Sequence, residues 1–124
     1  MIKNNIAKGK IGEELAAGFL KKHGYKILFS NYRNRFGEID IIARNKNVIC
    51  FVEVKCRSNI DFGLPQESVG DKKQKKLGLL GAEFLKAYNF LDCSARFDVV
   101  SVLLSKDGLA PEIELFKNAF DAKE

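Results

Sequence analysis

Apolar residues in the first twenty-odd positions recur at helical spacing. Between about Asn5 and His23, Ile11, Leu15, Ala16, Phe19 and Leu20 fall on one broad face when residues are placed at about 100° per position, while Lys10, Glu14 and Lys21 fall opposite. Gly24 supplies the stop, and His23 just before it suits the negative end of the helix dipole. The pattern separates two adjacent glutamates. Glu14 points to solvent, whereas Glu13 lies beside Leu20 at the border of the buried face.

After the helix the period changes. A short strand from Tyr25 to about Ser30 leads into the turn-rich segment NYRNRFG, and two longer strand patterns follow, Glu38–Arg44 and Val48–Arg57. The polar connection Asn45-Lys46-Asn47 between them predicts an antiparallel hairpin. The stretch SNIDFGLPQES, with Gly63 and Pro65, reads as a loop. A second helix is expected from about Asp71 to Asn89, carried by Leu77, Leu80, Gly81, Phe84 and Tyr88. Arg96–Leu104 is a Val- and Leu-rich strand, Lys106-Asp107-Gly108 a turn, and Ile113–Phe116 a last short strand. The order αβββαβ(β), with no internal repeat or linker, predicts an α/β protein: a central mixed β-sheet flanked by helices, in one domain over 1–124.

The hairpin register follows from its side chains. Alternation puts Cys50, Val52, Val54 and Cys56 on one face of the second hairpin strand, and Phe51, Glu53, Lys55 and Arg57 on the other. An even-length loop pairs residues whose numbers sum to 91 or 93. It joins Ile39, Ile41 and Ala43 to Cys50, Val52 and Val54 in one apolar surface, and brings Asp40 onto the face of Glu53 and Lys55. A three-residue loop sets isoleucines against charges, which the register rules disfavour.

That register creates an electrostatic problem. Two carboxylates ~5 Å apart repel by roughly 3 kcal/mol at an effective dielectric near 20. Lys55 offsets part of this, and a divalent cation offsets more, since hard cations prefer carboxylate oxygen. A sheet whose second face is simply wet and charged is the plain alternative.

Composition narrows the classes. The 124 residues are 46% hydrophobic, enough for a core, and no apolar run approaches the ~18 residues that span a bilayer. The opening MIKNNIAKGKIGEEL has a basic flank but no apolar segment to act as a secretory signal, so a cytoplasmic location is expected, with no membrane partner. Cys50, Cys56 and Cys93 form no C-x-x-C pair, and Cys50 and Cys56, in one apolar strand pattern, read as core residues; with His23 the sole histidine, a thiolate or imidazole metal site or a histidine-based triad has little to draw on. The net charge of +5, from 21 Lys and Arg against 16 Asp and Glu, is a mild bias towards polyanions.

The distribution of charge adds to this. Lys72, Lys73, Lys75 and Lys76 crowd the first turns of the second helix, where each opposes the helix dipole by several tenths of a kcal/mol. Docked phosphates would account for them, as would an ordinary solvated helix start capped by Asp71. Arg33, Arg35 and Arg57 are further phosphate-contact candidates; Tyr32 is better placed for burial than for stacking on a base. Arg96 and Asp98 alternate onto one face and read as an ion pair supporting the sheet.

Gly12-Glu13, Asn31-Tyr32-Arg33, Gly37-Glu38-Ile39-Asp40-Ile41, Phe51-Val52-Glu53-Val54-Lys55, Phe62-Gly63-x-Pro65, Lys73 and Arg96-Phe97-Asp98-Val99 together resemble the bacterial YraN-like family. That family is similar to archaeal Holliday-junction resolvases and belongs, by resemblance, to the restriction-endonuclease-like superfamily with its PD-(D/E)xK signature. The blocks run from Gly12 to Val99; D-x12-E-x-K alone is a weak pattern, and it gains specificity from its ordered neighbours. The resemblance implies that Asp40 and Glu53 are the metal-binding acids, with the main-chain carbonyl of Val54 as a further ligand. It implies that Lys55 orients the attacking water, and that Glu13 supplements the metal site. Ile39 stands where the nominal signature has proline, as it does in the YraN-like pattern. The implied activity is an endonuclease dependent on Mg²⁺ or Mn²⁺ that acts on DNA, branched or damaged forms included, with Arg33, Arg57, Lys72, Lys73 and Lys76 on the nucleic acid. Junction resolvases pair two sites, so a homodimer is implied in the same sense. A non-catalytic nucleic-acid-binding module and a protein that docks another chain on its polar sheet face remain the competing readings.

Overall fold

The computed structural model describes residues 5–58, 70–104 and 110–120. The elements are α1 (Asn5–Lys22), β1 (Lys26–Asn34), β2 (Gly37–Asn45), β3 (Val48–Arg57), α2 (Asp71–Ala87), β4 (Ser94–Leu103) and β5 (Glu112–Phe120). The Phe62-Gly63-x-Pro65 block and the turn Lys106-Asp107-Gly108 lie outside the described residues. Among those described, no helix is long and apolar enough to cross a membrane.

The strands form one sheet in the order β1-β2-β3-β4-β5. β3 and β4 are parallel, joined through α2, and every other pair is antiparallel. This is the mixed sheet that the sequence predicts. The hairpin register is the expected one: Ile41 pairs with Val52, Ala43 with Cys50 and Asn45 with Val48, leaving Lys46 and Asn47 as the turn. Lys46 has φ +56°, the left-handed conformation that two-residue hairpin turns require.

A separate core fills each side of the sheet. Ala16 and Leu20 of α1 bury against Ile41, Ala43, Cys50, Val52, Val100 and Val102. Leu77, Leu80 and Phe84 of α2 bury against Ile42, Ile49, Phe51, Phe97 and Val99. The face carrying Phe51 is therefore an aromatic core for most of its length, and only its far end is polar. Ile39 departs from the expected grouping: it packs in the α2 core, not with Ile41 and Ala43. The alternation fails where β2 has left β3 beyond Ile41 and where Asn31 of the facing strand β1 has φ +55°.

Other elements differ in extent. β1 runs on through Asn34, so the NYRN residues are strand and the turn is Arg35-Phe36 alone. Two aromatic anchors hold this extension, Phe29 and Tyr32, whose rings meet Phe84 edge-on at 5.7 and 5.2 Å. β5 reaches Phe120, well past the expected Phe116. The α2 N-cap is Gly70 rather than Asp71, and no side chain caps it. Ile11, expected on the buried face of α1, is 37% exposed. Arg96 does pair with the fully buried Asp98, Nε to Oδ2 at 3.0 Å, and also donates to the Tyr25 hydroxyl at 2.7 Å. Asp98 in turn accepts the Asn118 N–H at 3.0 Å, at the irregularity between β4 and β5.

The approach of α1 to the sheet depends on Gly12. A Cβ there would lie 2.6 Å from the Cβ of Cys56, whereas one at Gly18 would meet nothing within 4 Å. Gly12→Ala is expected to destabilise the protein by about 1–3 kcal/mol through overpacking. Gly18→Ala, on the exposed side of the same helix, is expected to stabilise it by about 0.5–1 kcal/mol through helix propensity. Urea denaturation of the two variants checks the contrast, and equal effects would contradict the close contact.

Candidate active site

The site forms where the sheet splits. The β2–β3 ladder ends at the Ile41–Val52 pair, yet β1 stays paired with β2 as far as Gly37, and β3 stays paired with β4 as far as Arg57. Into the opening goes Asp40, whose Oδ2 accepts the main-chain N–H of Val54 at 2.8 Å. A side chain thus takes the place of the neighbouring strand, satisfying an amide that the split would leave unpaired.

Asp40 lines a cleft on either side. One, of about 310 Å³, is lined by Gly9, Glu13, Asp40, Val54, Lys55, Cys56 and Arg57. The other, of about 250 Å³, is lined by Phe36, Gly37, Glu38, Asp40, Glu53, Lys73, Lys76 and Leu77. The helix glutamate and the strand glutamate consequently open to different clefts, with Asp40 common to both.

Each charged group bears the mark of its surroundings. Burial, reinforced by the Glu53 charge, raises Asp40 to about 6, against the pull of the Val54 N–H. Burial also raises Glu13, as do Glu38 and Glu53, while a hydrogen bond with Asn31 lowers it. Even so, Oε1 of Glu13 is a buried oxygen with no partner. Lys55 is pushed below the ordinary lysine range by burial and then by Lys73, with Glu53 and Asp40 opposing. Glu53 is 5% exposed, and its Oε2 is held by Nζ of Lys73 at 2.7 Å. Among the described residues, no three His, Cys, Asp or Glu side chains already converge as a metal cage.

The remaining candidates are dispersed. Arg33 is largely exposed and paired with Glu38, and Lys72 is exposed on the first turn of α2. Lys76 lines the α2-side cleft and Arg57 the α1-side cleft. Arg35 pairs with Glu83 at 3.0 Å. Tyr32 packs into the α2 core. The Cys50 thiol is buried and pushed up to about 11, which suits an inert core residue. Two residues named from the sequence have roles here that it did not assign, and Lys73, expected on the nucleic acid, is paired within the protein. Asn31, in β1 with φ +55°, bonds Glu13, and Lys73 serves as the counter-ion of Glu53. Asparagine tolerates such a positive φ, which suits it to the turn-rich segment where the sequence places it.

A five-stranded mixed sheet with a helix on each face, split where Asp40 enters it, defines an α/β protein. The chain belongs to the uncharacterised protein family UPF0102, the YraN-like family, whose sequence model matches residues 12–102. A UPF0102 protein of Syntrophus aciditrophicus is 48% identical over 94% of this chain and 91% of its own. One from Trichlorobacter lovleyi is 45% identical over 96% and 94%, and one from Acetivibrio thermocellus 47% identical over 94% and 93%. Among solved structures, SfsA of Pyrococcus furiosus in complex with Ca²⁺ aligns with a TM-score of 0.40 and 15% identity. That alignment covers 94% of this chain, which spans 64% of the SfsA chain.

The displaced Asp40 generates a prediction about stability. Its ionised form is disfavoured by folding, so the penalty is absent below pH 3.8, grows towards pH 6 and is complete above it. At about 1.4 kcal/mol per pKa unit, it reaches on the order of 3 kcal/mol. Asp40→Asn, which keeps an oxygen for the Val54 amide, is expected to stabilise the protein by up to that amount at pH 8 and by almost nothing at pH 4. Urea unfolding across this range tests it, and a pH-independent gain would contradict the assignment.

Proposed function

We propose that this protein is a metal-dependent endonuclease that hydrolyses phosphodiester bonds in DNA, with branched and damaged forms as its candidate substrates. The observation that carries the reading is the buried, unpartnered Oε1 of Glu13 beside Asp40, whose own ionisation is already strained by its neighbours. An orphaned carboxylate oxygen of this kind is destabilising in a folded protein unless something positive satisfies it.

The chemistry of the donors suits a hard cation, Mg²⁺ or Mn²⁺: Asp40, common to both clefts, would hold it with Glu53 on the α2 side or with Glu13 and the main-chain carbonyl of Val54 on the α1 side. Bound there, such an ion supplies Lewis-acid polarisation of a phosphate oxygen and a water of lowered pKa. The protein's own groups do the rest. Lys55 hydrogen-bonds the attacking water and faces the charge that grows on the phosphate, and its partly buried position strengthens that interaction. Asp40 keeps β3 in register through Val54 while directing its carboxylate into both clefts. Arg57 on one side, and Lys72 and Lys76 on the other, attract the flanking phosphates, with Arg33 further out.

The alternative reading, a nucleic-acid-binding protein without turnover, draws its support from the Lys73–Glu53 pair, because a carboxylate already neutralised within the protein has less need of a metal. Purified protein incubated with branched, duplex and single-stranded DNA in Mg²⁺, Mn²⁺ or EDTA separates the two. Cleavage is expected only with metal, and Glu53→Gln and Lys55→Met are each expected to reduce its rate by about 10²–10³-fold. Cutting that persists in both variants would assign the activity elsewhere. Tight DNA binding with no cutting in any metal would favour the second reading.

A further inference from the structure

We propose that Lys73 is an exchangeable counter-cation: it holds Glu53 until a divalent ion takes that carboxylate, and then turns to a phosphate of the bound nucleic acid. The inference rests on the cation reading of the site and adds to it a residue outside the D-x12-E-x-K pattern.

The pair is asymmetric. Glu53 is fixed in a central strand with its side chain 6% exposed, whereas the Lys73 side chain is 46% exposed and hangs on a flexible four-carbon stem at the start of α2. A buried carboxylate without a partner is strongly destabilising, so a fold that must exist before metal arrives needs a positive charge of its own. Lys73 supplies it at 2.7 Å. It also accounts for the separation of the acids. Drawn to Lys73, Glu53 opens to the α2-side cleft, while Glu13 opens to the other. Bringing Glu53 and Asp40 onto one ion requires Lys73 to let go, because two cations at one carboxylate repel. The half-exposed partner is the one free to move. Once released, its ammonium stands in a cleft that Lys76 also lines, where a phosphate oxygen is the complementary ligand.

Lys73→Gln keeps a hydrogen-bond donor and removes the charge; Lys73→Arg keeps both. Lys86→Gln, in the last turn of α2, controls for lost charge on the same helix. Mn²⁺ binding, followed by loss of the free-ion EPR signal, is expected to tighten roughly fivefold to tenfold in Lys73→Gln. It should stay near wild type in Lys73→Arg and Lys86→Gln. In the second arm, binding of a fluorescent branched DNA is measured in Ca²⁺ and in EDTA. Lys73→Gln is expected to weaken it about fivefold in Ca²⁺ and less than twofold in EDTA, because only the released lysine reaches a phosphate.

Unchanged or weaker Mn²⁺ binding by Lys73→Gln, with wild-type protein binding the ion, would overturn the exchange and leave the cation reading intact. An equal loss of DNA affinity in Ca²⁺ and EDTA would also overturn it, since it would make Lys73 a constant phosphate contact. Failure of the wild-type protein to bind Mn²⁺ at all would remove both.

Discussion

Everything specific to this fold follows from one hydrogen bond, in which the carboxylate of Asp40 accepts the amide of Val54. Strands two and three of a compact sheet normally pair to their ends, because an unpaired amide is expensive to bury. Here the pairing stops midway, and a side chain takes over the acceptor role. The outer hairpin can then swing away from the parallel pair without an orphaned amide. The gap so made is lined by the residues that do not suit a hydrocarbon core. Asp98 repeats the device at the other side of the sheet, accepting the Asn118 amide, but its charge is cancelled by Arg96. The same local chemistry thus gives a closed structural joint in one place and an open, charged cleft in the other, depending on whether an arginine is built in.

The cleft is held by opposed forces. Burial and mutual repulsion push Asp40 and Glu13 towards their neutral forms, while burial and Lys73 push Lys55 the same way. Such a set is a liability for stability. It persists because the two helices, each with its own core beneath it, fix the surrounding elements independently of the cleft. Gly12 is the point where this independence is narrowest, for the helix that carries Glu13 can approach β3 only by lacking a side chain there.

Much of this was legible from side-chain periodicity. The hairpin register followed from matching Ile41 and Ala43 against Cys50 and Val52, and the mixed sheet followed from the order of elements. Three things were not legible, each for a physical reason. Strict alternation placed Ile39 with Ile41, because a linear pattern carries no sign of where a strand parts from its neighbour. The NYRN segment looked like a turn by composition, but its fate was decided by Phe29 and Tyr32 packing on Phe84, a contact more than fifty residues away in sequence. Lys73 read as a nucleic-acid contact among several lysines at a helix start, since only the packing of α2 on the sheet brings it to Glu53. The acids themselves were visible by their spacing, while their division between two clefts was not.

The lone oxygen of Glu13 distinguishes it from the two acids on the strands. Asp40 serves the backbone, and Glu53 is matched by a lysine, so both have architectural reasons to remain even if chemistry is abandoned. Glu13 has a bond with Asn31 but no such employment at Oε1, whose burial costs the fold. If the proposed chemistry is absent, replacing Glu13 by a residue without a charge leaves less to satisfy in the cleft than replacing either acid on the strands.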